Sequence, residues 1–478
     1  METLTLKQNT EILEKNLSKF KGKFTLNDAA AVTGLPVEQA RETLNDLMGK
    51  YLCHLQVSED GDLIYDFGKS PTRRGAKTFS EIIDDIKNVL WKGFKIFFKA
   101  WIAATLVVYF IIFVVIAIAF LIAVTAANSK DDNRKSSDMS GSVFRFIGEI
   151  FYAIFRWQTI SGAISYQKDS RGYQYKSYEP IKTNSSSSKN FIASVYDFVF
   201  GPPRVEPEPL ANQQEVAAYA RQNKGLMVLS EFKALAGWNT EQAQNFMTDC
   251  IARFNGTARI SDNAILYADF YELTRSKTQA QDGKIEWYWD EFEPDYLLTG
   301  NSSSRNVAIA GLNLLNLAFS TQFLYDSEIR RFVETLIPSE IIFWALGIVP
   351  LAFSATFFAV PLLRWLSLIP KKMKRSENNL RKRLYRFIYQ FAPKVDISLQ
   401  QLAQDMNTGN YEKIEKNKIE SLMRKVAIDW EGEAIPKDNG EVVYRFESLK
   451  NELEEIKKLR QQTQNPTNLG NIYFDTRD

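Results

Sequence analysis

Between Lys99 and Lys130 the chain runs for thirty residues, Ala100 through Ser129, without a charged side chain. A helix needs about 20 apolar residues to cross a hydrocarbon core of ~30 Å, so this stretch can span with room for tilt. Helices of water-soluble proteins are seldom apolar on every face for that distance, because one side must meet water. A second uncharged stretch lies between Glu340 and Arg364. Its Pro350 and Pro361 would break a soluble helix, whereas in a bilayer neighbouring helices and hydroxyl side chains re-satisfy the freed carbonyls. Trp101 and Trp365 stand at the ends of the two stretches, at the headgroup level that amphipathic rings prefer. The chain reads as an integral membrane protein.

The flanks of these stretches indicate sidedness. Lys92, Lys95 and Lys99 precede the first, and Arg364, Lys371, Lys372, Lys374 and Arg375 follow the second. Such clusters suit an anionic cytoplasmic leaflet. Lys92, Lys95, Lys99, Trp101, Arg364, Trp365, Lys371 and Lys372 are therefore the expected interface anchors. Met1 to Phe20 contains no apolar h-region, so the first span is expected to act as its own targeting signal.

Outside the membrane the strongest signal is a repeat. Displacing the chain by 203 positions lays Lys21–Phe67 on Lys224–Phe270 without a gap, and 13 of the 47 pairs are identical. Lys21-Gly22 meets Lys224-Gly225, Gly34 meets Gly237, Glu38-Gln39-Ala40 meets Glu241-Gln242-Ala243, and Asp66-Phe67 meets Asp269-Phe270. In the first copy Asn27-Asp28 is expected to cap a helix that Gly34 stops. Val37, Ala40, Leu44, Leu47 and Met48 form one face of the next helix. Tyr51–Val57 and Leu63–Phe67, with Asp60-Gly61 between them, read as a hairpin. A helix-turn-helix followed by a hairpin resembles the winged-helix fold. A looser third copy runs from Ile397 to Phe446.

With two spans only, the middle copy would lie across the membrane from its siblings. Two weaker segments remove that difficulty. Val143–Ile160 is apolar apart from Arg145, Glu149 and Arg156, which share one side of a helix; it either spans or lies in the interface. Val307–Leu324 is uncharged and carries a polar stripe of Asn313, Asn316 and Ser320 suited to helix packing. The expected fold class is thus α+β winged-helix modules joined to an α-helical membrane region of two to four segments, with four favoured. The expected organisation is a first module over 1–75; a lead-in helix, span and second membrane or interfacial helix over 78–164; and a linker and extended arm over 165–210. A second module follows over 211–280, an aromatic-acidic connector over 281–304, and membrane helices over 305–370. A basic juxtamembrane helix over 371–387, a third module over 388–450, and a charged helix with a disordered tail over 451–478 complete it.

Little in the sequence suggests chemistry. His54 is the sole histidine, and Cys53 and Cys250 lie in different segments. No phosphate-cradling loop, HExxH or CxxC occurs, so no catalytic residue, cofactor or metal is expected, nor an enzyme. Winged helices most often place their second helix in the DNA major groove. Here that helix presents Glu38, Arg41 and Glu42 in the first copy and Glu241, Gln244 and Asn245 in the second. Acids facing phosphate would repel it. The third copy offers Lys413 and Lys416, interleaved with Glu412, Glu415 and Glu420. These faces are the candidate partner-binding surfaces, and the net charge of +2 adds no global field for nucleic acid.

As a whole the chain resembles uncharacterised bacterial membrane proteins with winged-helix repeats, on the strength of the repeat and the arm Phe198-Val-Phe-Gly201-Pro-Pro. That resemblance brings no activity; it implies a bacterial inner (cytoplasmic) membrane with the modules cytoplasmic. The expected function is a scaffold presenting winged-helix modules to an unknown protein partner or to a homo-oligomer. The alternatives are a membrane-tethered DNA-binding regulator and a transporter or channel accessory subunit using the Arg145, Glu149 and Arg156 stripe.

Overall fold

The computed structural model describes residues 4–20, 22–75, 79–128, 190–203, 210–276, 285–291, 293, 295–336, 340–407, 414–438, 441–463, 469 and 471–476. Arg145, Glu149, Arg156 and Lys413 lie outside these residues. Among the described residues the chain is mixed helical, with three small antiparallel sheets and three helices long and apolar enough to cross a bilayer.

One order of elements occurs three times. The first unit comprises α1 (Leu6–Asn16), β1 (Lys23–Thr25), α2 (Leu26–Thr33), α3 (Val37–Lys50), β2 (His54–Ser58) and β3 (Leu63–Asp66). The cap of α2 is Thr25 rather than Asn27: its hydroxyl accepts from the Asp28 N–H while the Asp28 carboxylate accepts from the Thr25 N–H. A Thr or Ser three positions upstream of an acid closes both orphan donors at once, which Asn27 alone cannot do. Gly34 ends α2 with φ 74°, a left-handed conformation that disfavours side chains. Along α3, Val37, Ala40, Leu44 and Leu47 are buried as one stripe. Phe20, Phe24 and Phe67 stack beneath the sheet.

The second unit comprises α6 (Ala211–Gln222), β4 (Leu226–Val228), α7 (Leu229–Ala236), α8 (Thr240–Arg253), β5 (Thr257–Ile260), β6 (Leu266–Asp269) and a last turn α9 (Tyr271–Thr274). The 203-residue displacement carries each element of the repeat onto its counterpart: Lys23 pairs with Asp66 as Leu226 pairs with Asp269. Gly237 repeats the left-handed stop of Gly34, with φ 69°.

The third unit is built on α12 (Val349–Phe391), followed by β7 (Ile397–Ser398), α13 (Leu399–Asn407), α14 (Lys416–Asp429), β8 (Glu433–Pro436), β9 (Val442–Arg445) and α15 (Glu447–Gln462). Each sheet keeps one arrangement, the hairpin's return strand lying between the other two. The C-terminal tail departs from its expected disorder. Residues Ile472–Asp475 form β10, which adds to the first unit's sheet beside β2. Unsatisfied edge amides accept any strand that reaches them, and no local pattern reports so distant a partner.

Two expected boundaries are not breaks. The amphipathic lead-in and the first span are one 50-residue helix, α4 (Phe79–Asn128). Likewise α12 runs without interruption from the second apolar stretch through the basic run into the third unit, where Leu384, Tyr385 and Ile388 are core residues. A π-turn, Phe343–Ile348, precedes α12, and Pro361 and Pro370 are carried within it.

Between these helices lies α10 (Ser303–Tyr325), with α11 (Ser327–Leu336) after it. The α10 helix runs parallel to α4: Asn316 Nδ2 donates to the Leu106 carbonyl at 3.0 Å, Phe113 stacks on Phe319, and Ile116 packs beside Phe323. It runs antiparallel to α12, with Asn313 Nδ2 donating to the Ser354 carbonyl at 3.0 Å and Leu324 against Gly347. A short apolar helix, α5 (Phe191–Phe200), packs against α4 where its apolar stretch begins, through Phe98 and Phe200, and against α12 through Phe198 and Phe357.

Candidate functional site

The expected interface anchors gather where the apolar helices meet the folded units. Lys99 Nζ lies 4.5 Å from the Tyr196 ring centroid and Lys95 5.4 Å from that of Trp91. Trp101 and Trp365 are half exposed, and Lys92, Lys371 and Lys372 are exposed. Arg364 differs from a solvated anchor. Its guanidinium lies against the backbone of Gly201, occupying the space a β-carbon there would need, and donates to the Leu297 carbonyl at 3.2 Å. The arm Phe198–Pro203 is thus held by the end of the second apolar stretch.

The aromatic-acidic connector fills the seam between the second and third units. Tyr288 packs over Gly237 and against Tyr385, and its N–H donates to the Ala234 carbonyl. Trp287 meets Tyr219 on one side and Tyr389 on the other. The basic run of α12 closes over the strip's acids: Lys382 Nζ lies 3.6 Å from Glu291 and 2.9 Å from its carbonyl, and Arg375 pairs with Asp295. Burial pushes the Glu291 carboxyl up to about 7 although Lys382 pulls it down. The basic run expected to face an anionic leaflet is therefore partly spent inside the protein.

The three units also hold one another directly. Asp28, wholly buried, pairs with Arg221 of α6. Gln214 donates to the Thr33 carbonyl, Arg253 to the Gly34 carbonyl, and Arg275 pairs with Asp62 at 2.7 Å. At the next seam Arg460 of α15 pairs with buried Glu231 at 2.7 Å, and the Ser230 N–H donates to Glu452. Burial pushes the Glu231 carboxyl up, opposed by Arg460 and by the Tyr219 hydroxyl, which donates to it at 2.7 Å. Sequence reasoning missed these pairs. Only one signal was present, the acid at equivalent positions 28 and 231 of the repeat.

The candidate partner-binding residues remain outside this packing. Glu38, Arg41 and Glu42 on α3, Glu241, Gln244 and Asn245 on α8, and Lys416 on α14 are all exposed. Arg41 is paired with Glu38, Arg424 with Glu420 and Lys425 with Glu377, which leaves these faces mixed in charge. In contrast Asn313 and Asn316 are fully buried between α10, α4 and α12. Among the described residues no group of three or more His, Cys, Asp or Glu side chains is arranged to hold a metal ion.

No family model and no solved structure matches the chain. An uncharacterised chloroplastic protein of Arabidopsis thaliana is 23% identical over 393 residues, an alignment covering 76% of this chain and 69% of that protein.

Proposed function

We propose that this protein is a membrane-anchored scaffold displaying three winged-helix modules on one side of a bilayer. The recurring order of helix, strand, two helices and hairpin supports the winged-helix reading of each unit. One observation carries the scaffold reading. All three units touch through buried ion pairs and shared cores, and units on opposite faces of a bilayer could not. The parallel course of α4 and α10 agrees with it. Both helices then enter the bilayer from the side of the units, and α5 packs against α4 where its apolar stretch begins.

The exposed faces of α3, α8 and α14 are the proposed contact surfaces for a protein partner. A DNA-reading role is disfavoured by the acids on α3 and by the first hairpin's engagement, since Asp60 and Asp62 face Arg275 and β2 carries β10. The residues on which a transport role would rest lie outside the described residues. A chloroplastic relative lends no support to a bacterial inner membrane, so the proposal extends only to a bilayer whose anionic leaflet faces the modules.

Single cysteines at Glu42, Gln244 and Lys418, and another at Glu334 of α11, test the arrangement by labelling with an impermeant maleimide in sealed membranes. The three module positions should label together and opposite to Glu334. Labelling of Gln244 from the Glu334 side would sink the proposal.

A further inference from the structure

The three units differ in how one equivalent face is covered. In the first, Asp28 is the third residue of α2, and α6 lies over it: Arg221 pairs with that carboxylate and Leu210 and Gln213 pack against Gly34 at the helix's other end. In the second, Glu231 is the third residue of α7; Arg460 pairs with it and Tyr288 covers Gly237. Each face is thus closed by apolar side chains and one arginine from a later part of the chain. In the third unit the same position is Gln401, whose N–H is capped by the Ser398 hydroxyl at 3.1 Å. Among the described residues no other element covers that face. It forms a groove of about 440 Å³, walled by Phe387 and Phe391 of α12, floored by Ile397 and rimmed by Val395, Gln401 and Asp405.

We propose that this groove docks an arginine-bearing amphipathic helix from a second polypeptide. The inference rests on the scaffold reading and names one of its contact sites. Phe391 and Val395 expose 42% and 57% of their surface, apolar area that a covering helix would remove from water. The negative charge, absent at Gln401, reappears one turn on at exposed Asp405, on the same side of α13. An arginine in the covering helix meets a carboxylate there, as it does in both sibling faces. The groove's rim charge favours a basic helix over an acidic one.

The probe is a labelled peptide of residues 210–222, the helix that closes the first unit's face, titrated into the full chain in lipid nanodiscs. Saturable binding is expected, weakened about tenfold by Asp405→Arg and by Phe391→Ser, as loss of one interfacial charge pair or one aromatic contact implies. A peptide with Arg221→Glu should bind the Asp405→Arg chain better than it binds the unaltered chain. Both substituted residues are exposed, so an unchanged melting temperature confirms that the variants fold. Absence of saturable binding, or equal binding to every variant, overturns the proposal. If that happens while Glu42, Gln244 and Lys418 still label from one side, the groove reading fails and the scaffold reading stands.

Discussion

The first and second units share one continuous apolar core to which their ion pairs are added, whereas the second and third meet through smaller apolar clusters, ion pairs, stacked aromatic rings and a helix lying beyond the third hairpin. Phe24, Leu44, Val216, Phe232 and Phe270 all belong to the first core. At the second seam the corresponding places are taken by Trp287, Tyr288, Tyr385 and Tyr389, with Lys382, Arg381 and Asp429 among them. Apolar burial is non-directional and strengthens with area, so the first pair behaves as one body. A seam of hydrogen-bonded rings and charges has fixed partners and responds to pH. The third unit's first helix is itself one of the helices long and apolar enough to cross a bilayer, and its seam with the second is the place where motion of α12 would be felt.

The largest effect that tests this contrast should come from Phe232→Ala. Removing a wholly buried ring costs about 3–5 kcal/mol. Hydrogen exchange should then rise in α2 and α7 together; a rise confined to α7 would show that the first two units are separate bodies. Comparable in size is Arg221→Ala, which strands the buried Asp28 carboxylate at a cost of about 3–5 kcal/mol. Arg460→Ala should cost less. Burial already pushes the Glu231 carboxyl up, and without the opposing Arg460 it takes up a proton more readily. Its loss should therefore shrink as pH falls, whereas chemical denaturation showing equal losses for both arginine variants at every pH would erase the distinction between the seams.

A smaller effect concerns Glu291. Its folded-state carboxyl titrates near 7 rather than 4.5, so the folded protein holds that proton more tightly than the unfolded chain. The associated stability is fully present below about pH 4.5 and is lost as pH rises through 7. Glu291→Gln should flatten the dependence of the melting temperature on pH across that window; an unaltered profile would remove the pH-sensitive character assigned to the second seam. Smallest of all, Asn316→Ala and Asn313→Ala each remove one interhelical hydrogen bond, worth about 0.6 kcal/mol between helices in a bilayer, and should be read by detergent-resistance assays against the unaltered protein.

Several features were legible because their causes are local. Val37, Ala40, Leu44 and Leu47 bury as their spacing requires, and Gly34 and Gly237 stop their helices because a left-handed residue is needed there. Asn313 and Asn316 were recognisable as a polar stripe, although which helices received them was not. The Thr25 cap was misplaced by two residues, since Asn27 is also a good capping residue and only the reciprocal bond to Asp28 decides between them. The partners of Asp28, Glu231 and β2 lie 193, 229 and more than 400 residues away, beyond any periodicity.

From sequence alone follow the long apolar helices, the duplicated unit and the charged flanks, because length, hydropathy and repetition act along the chain. Tertiary structure decided which acid meets which arginine, where the tail strand goes, and which of three equivalent faces no other described element covers. Those outcomes depend on desolvation and packing between distant segments, and a buried charge or an unpaired edge reveals its partner only once the fold has brought the two together.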